Sequence, residues 1–121
     1  MHKVYLIIAI LLTITLTIGS LIPPPNIVLV KVNNVDKLIH LLAYCLLTFS
    51  WIIALQQQLK KEKVIYVLAF SIFVFGIVIE VSQGVLTPYR QADYVDVIAN
   101  FLGITLAILL FKRFFLKHHS N

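Results

Sequence analysis

The chain has 121 residues, of which 60% are hydrophobic and only 12% charged, and its mean hydropathy is +0.97. A soluble domain of this size buries too little of its surface to hide so much apolar area, and disorder needs the opposite composition, so both classes are excluded and the bilayer is the solvent. The formal net charge of +5 would raise nucleic acid as a partner in a soluble protein; here the excess Lys and Arg suits membrane flanks, and no nucleic-acid partner is expected.

Residues 4–22 form an apolar stretch of 19 residues without a charge, which is long enough for a helix to cross a bilayer. Pro23, Pro24 and Pro25 stop that helix, because proline lacks the N–H and clashes with the preceding turn. Residues 37–55 form a second predicted span, 64–86 a third and 95–111 a fourth. The expectation is an all-α, multi-pass bundle of four transmembrane helices forming one domain over 1–121, with no room for a separate soluble domain. Short polar loops at 56–63 and 87–94 separate the last three spans. The connection 23–36 is longer and partly apolar, and 27–32 suits either the interface or a short extended piece. The start, Met1-His2-Lys3 followed by an apolar run and Thr17-Ile18-Gly19, also resembles a signal peptide, although the run is long for one.

Orientation follows from the basic residues. Lys3, Lys60, Lys61, Lys63, Lys112, Arg113 and Lys117 fall on flanks that share one side of a four-span chain, and Lys31, Lys37 and Arg90 fall on the other. Both termini are therefore expected in the cytoplasm, in the plasma membrane. The single cysteine, Cys45, cannot make an internal disulfide and reads as a small packing residue.

The few polar residues inside the spans gather at the outer end. Asp36, His40 and Tyr44 recur every four residues and share one face of span two. Glu80 and Gln83 lie near the outer end of span three, with Ser82 beside them. Asp93, Asp96 and Asn100 share a face of span four, and Arg90 stands in the loop before it. Every acidic residue except Glu62 belongs to this group. Charges at bilayer depth are costly and usually face a bundle interior or wet cavity, so a shared polar cavity opening outward is expected. Simpler roles exist for each residue alone. Asp36, beside Lys37, suits a helix N-cap, as do Asp93 and Asp96. His40 and Tyr44 suit packing, and Asn100 suits helix–helix contact. Glu80, far from any basic flank, has no such simple role. The small residues Gly76 and Gly84 on span three, and Ala99, Gly103 and Ala107 on span four, suggest that these two helices pack closely.

These residues carry a resemblance. Asp36-Lys37-Leu38-Ile39-His40 with Tyr44 resembles the first motif of the VanZ-like family of bacterial integral membrane proteins. Ile79-Glu80-Val81-Ser82-Gln83, followed by Arg90, Asp93, Asp96, Asn100 and Gly103, resembles its second. The resemblance spans about Asp36 to Ala107 and implies a role in the cell envelope. The family's named member accompanies glycopeptide resistance and reduced susceptibility to teicoplanin, and the resemblance supplies no reaction.

Two functional classes fit the residues. In a membrane-embedded enzyme acting on lipid-linked or phosphate-bearing substrates, Glu80 or Asp96 would be the general base, His40 would shuttle a proton, and Arg90 would hold a phosphate or carboxylate. No HExxH, Walker loop or Ser-x-x-Lys accompanies them. In a binding protein, Asp36, Lys37, Tyr44, Gln83, Arg90, Asp93 and Asn100 would hold a lipid head group or a glycopeptide. The sequence does not identify a cofactor. One histidine with several carboxylates suits a hard or borderline divalent ion, but the spacing is not diagnostic of a metal.

Overall fold

In hydrocarbon, backbone N–H and C=O groups find partners only within the protein, which makes helices the natural form for apolar segments of this length. A computed structural model describes residues 2–22, 33–56, 62–88 and 92–116. Among them the chain forms α1 (His2–Leu21), α2 (Asn33–Leu55), α3 (Glu62–Leu86) and α4 (Tyr94–Phe111), the last running into a π-helical turn over Lys112–Leu116. No strand occurs among the described residues, and all four helices are long and apolar enough to cross a membrane.

The helices match the expected spans closely, with one informative extension. α2 begins at Asn33, ahead of the first apolar residues, so Asp36 lies in its first turn rather than at the N-cap. The carboxylate still faces the positive end of the helix. Asp93 does cap α4: its backbone is extended and its Oδ1 accepts a hydrogen bond from the Val95 amide at 2.9 Å. α1 ends just before the three prolines, which themselves lie outside the described residues, as does the stretch 27–32.

Several helix hydroxyls are satisfied within their own helix. Thr13, Thr17, Ser50, Ser71 and Thr105 each donate to the carbonyl four residues earlier. Trp51 Nε1 donates to Thr13 Oγ1 at 3.0 Å and ties α2 to α1. α1 is otherwise the most lipid-facing helix, with Ala9 its one fully buried residue. Tyr44, Leu47, Ala69, Ile72 and Ile104 form the central core, and Ile52, Ile65 and Phe111 form a second cluster toward the opposite end from Asp36.

The closest helix pair differs from the one suggested by the small-residue stripes. α4 packs most extensively on α2, and less on α3. The reason lies at Gly103, where an added Cβ would collide with the Leu41 carbonyl oxygen and come within 3.1 Å of the Cys45 nitrogen. Glycine therefore sets the α2–α4 separation, and half-buried Cys45 is part of that seam. Gly76 on α3 has a different task. Its bare surface receives the Tyr44 ring and the Asn100 amide, each 3.0 Å from where a Cβ would stand.

Candidate functional site

Three helix ends bring their charged residues to one level. Lys37, on the first turns of α2, extends its ammonium between two carboxylates at the start of α4. It donates to Asp93 Oδ2 at 2.7 Å and to Asp96 Oδ1 at 2.9 Å. The Asp93–Asp96 spacing of three residues puts both carboxylates on one side of the helix start, which is what allows one ammonium to serve both. The Lys37 hydrogen bond, helped by the Val95 amide, holds the Asp93 carboxyl below the usual carboxylate range.

His40 follows one turn after Asp36 and stands between carboxylates of two helices. Its Nε2 is 3.8 Å from Asp36 Oδ1 and 3.7 Å from Asp96 Oδ2. The two aspartates differ in setting: the Asp36 side chain is 53% exposed and that of Asp96 only 8%. Glu80, buried on α3, accepts a hydrogen bond from the Asp93 backbone amide at 2.8 Å. Gln83, one turn further, is also buried and donates from Nε2 to the Ser20 carbonyl at 2.9 Å, drawing the end of α1 into the group.

A cleft of about 380 Å³ opens beside this cluster, between α1 and α2. Ser20, Asp36 and His40 lie at one end of it, and Leu12, Leu16, Ala43 and Leu47 line its length. Tyr44 also borders the cleft, and Asn100 is packed one turn below Asp96 with a buried Oδ1 that has no hydrogen-bond partner.

A family model described as VanZ/LLP1 matches residues 3–116. The chain belongs to the VanZ/LLP1 family. No curated protein and no solved structure matches the chain.

In this VanZ/LLP1 chain, Asp36, Lys37, His40, Glu80, Asp93 and Asp96 form one connected group. Tyr44 and Asn100 meet deeper, over Gly76. Gln83 turns toward α1 rather than toward the aspartates. Arg90 lies outside the described residues. Sequence patterning missed the part played by α1. Ser20 takes part through its backbone carbonyl, which no residue type announces.

Proposed function

We propose that this VanZ-like membrane protein binds an amphiphilic envelope molecule, with its head group at the Asp36–His40 end and its chain along the α1–α2 cleft. The observation that carries this reading is the division of the cleft itself: polar at Ser20, Asp36 and His40, and mostly apolar along Leu12, Leu16, Ala43 and Leu47, with Thr15 and Tyr44 among them. Pockets that hold ligands are mostly apolar with a few placed polar groups, and this one has that make-up. The bias of basic residues supports both termini in the cytoplasm, which opens the head-group end to the outer face of the plasma membrane. In that position the protein would act on envelope lipids or lipid-linked precursors, and through them on glycopeptides such as teicoplanin.

Glu80 bears on the choice between binding and catalysis. A general base must reach the proton it removes, whereas one Glu80 oxygen is engaged by the Asp93 amide, where it braces the start of α4. That arrangement favours binding. The test is a mass-spectrometric screen of the purified protein with envelope lipids and lipid-linked precursors. Retention of one lipid class without conversion supports binding; conversion of any class to product establishes the enzyme reading instead. In cells challenged with a lipoglycopeptide, Glu80→Gln and Asp96→Asn variants that insert normally should lose protection. Full protection by both would remove the site from the function.

A further inference from the structure

Asp36, His40 and Asp96 each offer one donor atom, and these atoms all lie within 4.8 Å of one another. The His40 Nε2 separations of 3.8 Å and 3.7 Å from the two carboxylates are too long for hydrogen bonds. They are close to the spacing of neighbouring ligands around a single ion, since donors held at about 2.0–2.6 Å from a metal stand roughly 3–4 Å apart.

We propose that Asp36, His40 and Asp96 form a binding site for one divalent cation of the zinc or manganese kind. The donor set selects the class: an imidazole beside two carboxylates suits a borderline ion, whereas calcium and magnesium prefer oxygen alone. The fold holds the donors in place. Asp36 and His40 are one turn apart on α2, and the close α2–α4 contact at Gly103 brings Asp96 to them. Lys37 takes Asp96 Oδ1 and leaves Oδ2 directed at His40, so the ammonium orients the carboxylate as an outer-shell partner does in metal sites. Charge points the same way. Among the described residues of the cluster, Asp36, Asp93 and Asp96 face one lysine and one histidine, and a dication offsets that surplus of carboxylates. Asp36 and His40 line the cleft, so the remaining coordination positions face it and would take water or a ligand oxygen. The site stands whether or not the cleft holds a lipid.

The test uses the full chain purified through a tag without histidine, stripped with chelator and titrated with Zn²⁺ and with Mn²⁺. One ion per chain is expected. Asp36→Asn, at an exposed position, and His40→Ala should each weaken binding by about tenfold or more, while Glu62→Gln at the far end of α3 leaves it unchanged. The chain also carries His2, His118 and His119, so His2→Ala/His118→Ala/His119→Ala is measured in parallel and should keep the ion. Pulsed electron paramagnetic resonance of Mn²⁺ in that triple variant should show coupling to one imidazole nitrogen, a readout that does not rely on variants within the site. Binding that vanishes in the triple variant, persists unchanged in both Asp36→Asn and His40→Ala, lacks nitrogen coupling, or is absent from the wild type overturns the proposal.

Discussion

Lys37 Nζ on α2 lies 2.9 Å from Asp96 Oδ1 on α4, across 59 positions of sequence. The contact joins the two helices that pack most closely and does so where the Asp96 side chain is almost fully buried. Removing one member of a buried ion pair strands the other and costs about 3–5 kcal/mol; the partial exposure of Lys37 reduces that to roughly 1–3 kcal/mol here. Lys37→Ala should therefore lower the midpoint of thermal unfolding in detergent. Adding Asp96→Asn to it should recover part of the loss, because the neutral amide no longer needs the ammonium. A double-mutant cycle measures this coupling, and strictly additive effects would show that the contact contributes nothing.

Gly103 sets the distance between α2 and α4. Alanine there places a methyl group against the Leu41 backbone carbonyl, which cannot swing aside as a side chain can. Overpacking of this kind costs about 1–3 kcal/mol. Gly103→Ala should lower thermal stability more than Gly19→Ala, since a Cβ at Gly19 meets nothing within 4 Å. Equal melting temperatures for the two variants would contradict the close approach.

Asp93 gives the cluster an acid limit. Its folded-state value is depressed, first by the Lys37 hydrogen bond and then by the Val95 amide. The stabilisation it brings is complete above the unfolded carboxylate value of about 3.9 and is lost as pH falls through the lower folded value. Thermal stability should decline on acidification below about pH 4, and Asp93→Asn should make that limb shallower. Asparagine caps helices as well as aspartate does, so the variant isolates the charge. Superimposable acid limbs for the two proteins would exclude the contribution.

Orientation is testable by fusion. A reporter active only in the cytoplasm, joined after Asn121, should be active, as should one inserted in the loop near Lys63. Activity only from a reporter near Pro88 would invert the topology and place the charged cluster inside the cell.

Much of this architecture was legible in the sequence, because bilayer thickness fixes span length and backbone satisfaction fixes the helix. The four spans follow from that, and so does the level of the charged residues: the periodic spacing of Asp36, His40 and Tyr44 requires one face. Partner choice was less legible. Gly103 and Gly76 read alike as small residues, yet one meets a backbone carbonyl and the other a tyrosine ring, a difference set by helix rotation rather than by local composition. Likewise, Lys37 reads as a flanking cation until α4 arrives beside it. The Ser20 carbonyl carries no side-chain signal at all.

The division of the α1–α2 cleft into a polar end and an apolar length is the centre of the functional proposal, and native mass spectrometry of protein purified from its membrane examines it directly. Wild-type protein should retain an amphiphile of defined mass. Gly19→Phe should lose it while keeping its fold, because Gly19 lines the cleft and a Cβ there meets nothing within 4 Å. The same amphiphile retained equally by both proteins, or none retained by the wild type, would contradict the proposal.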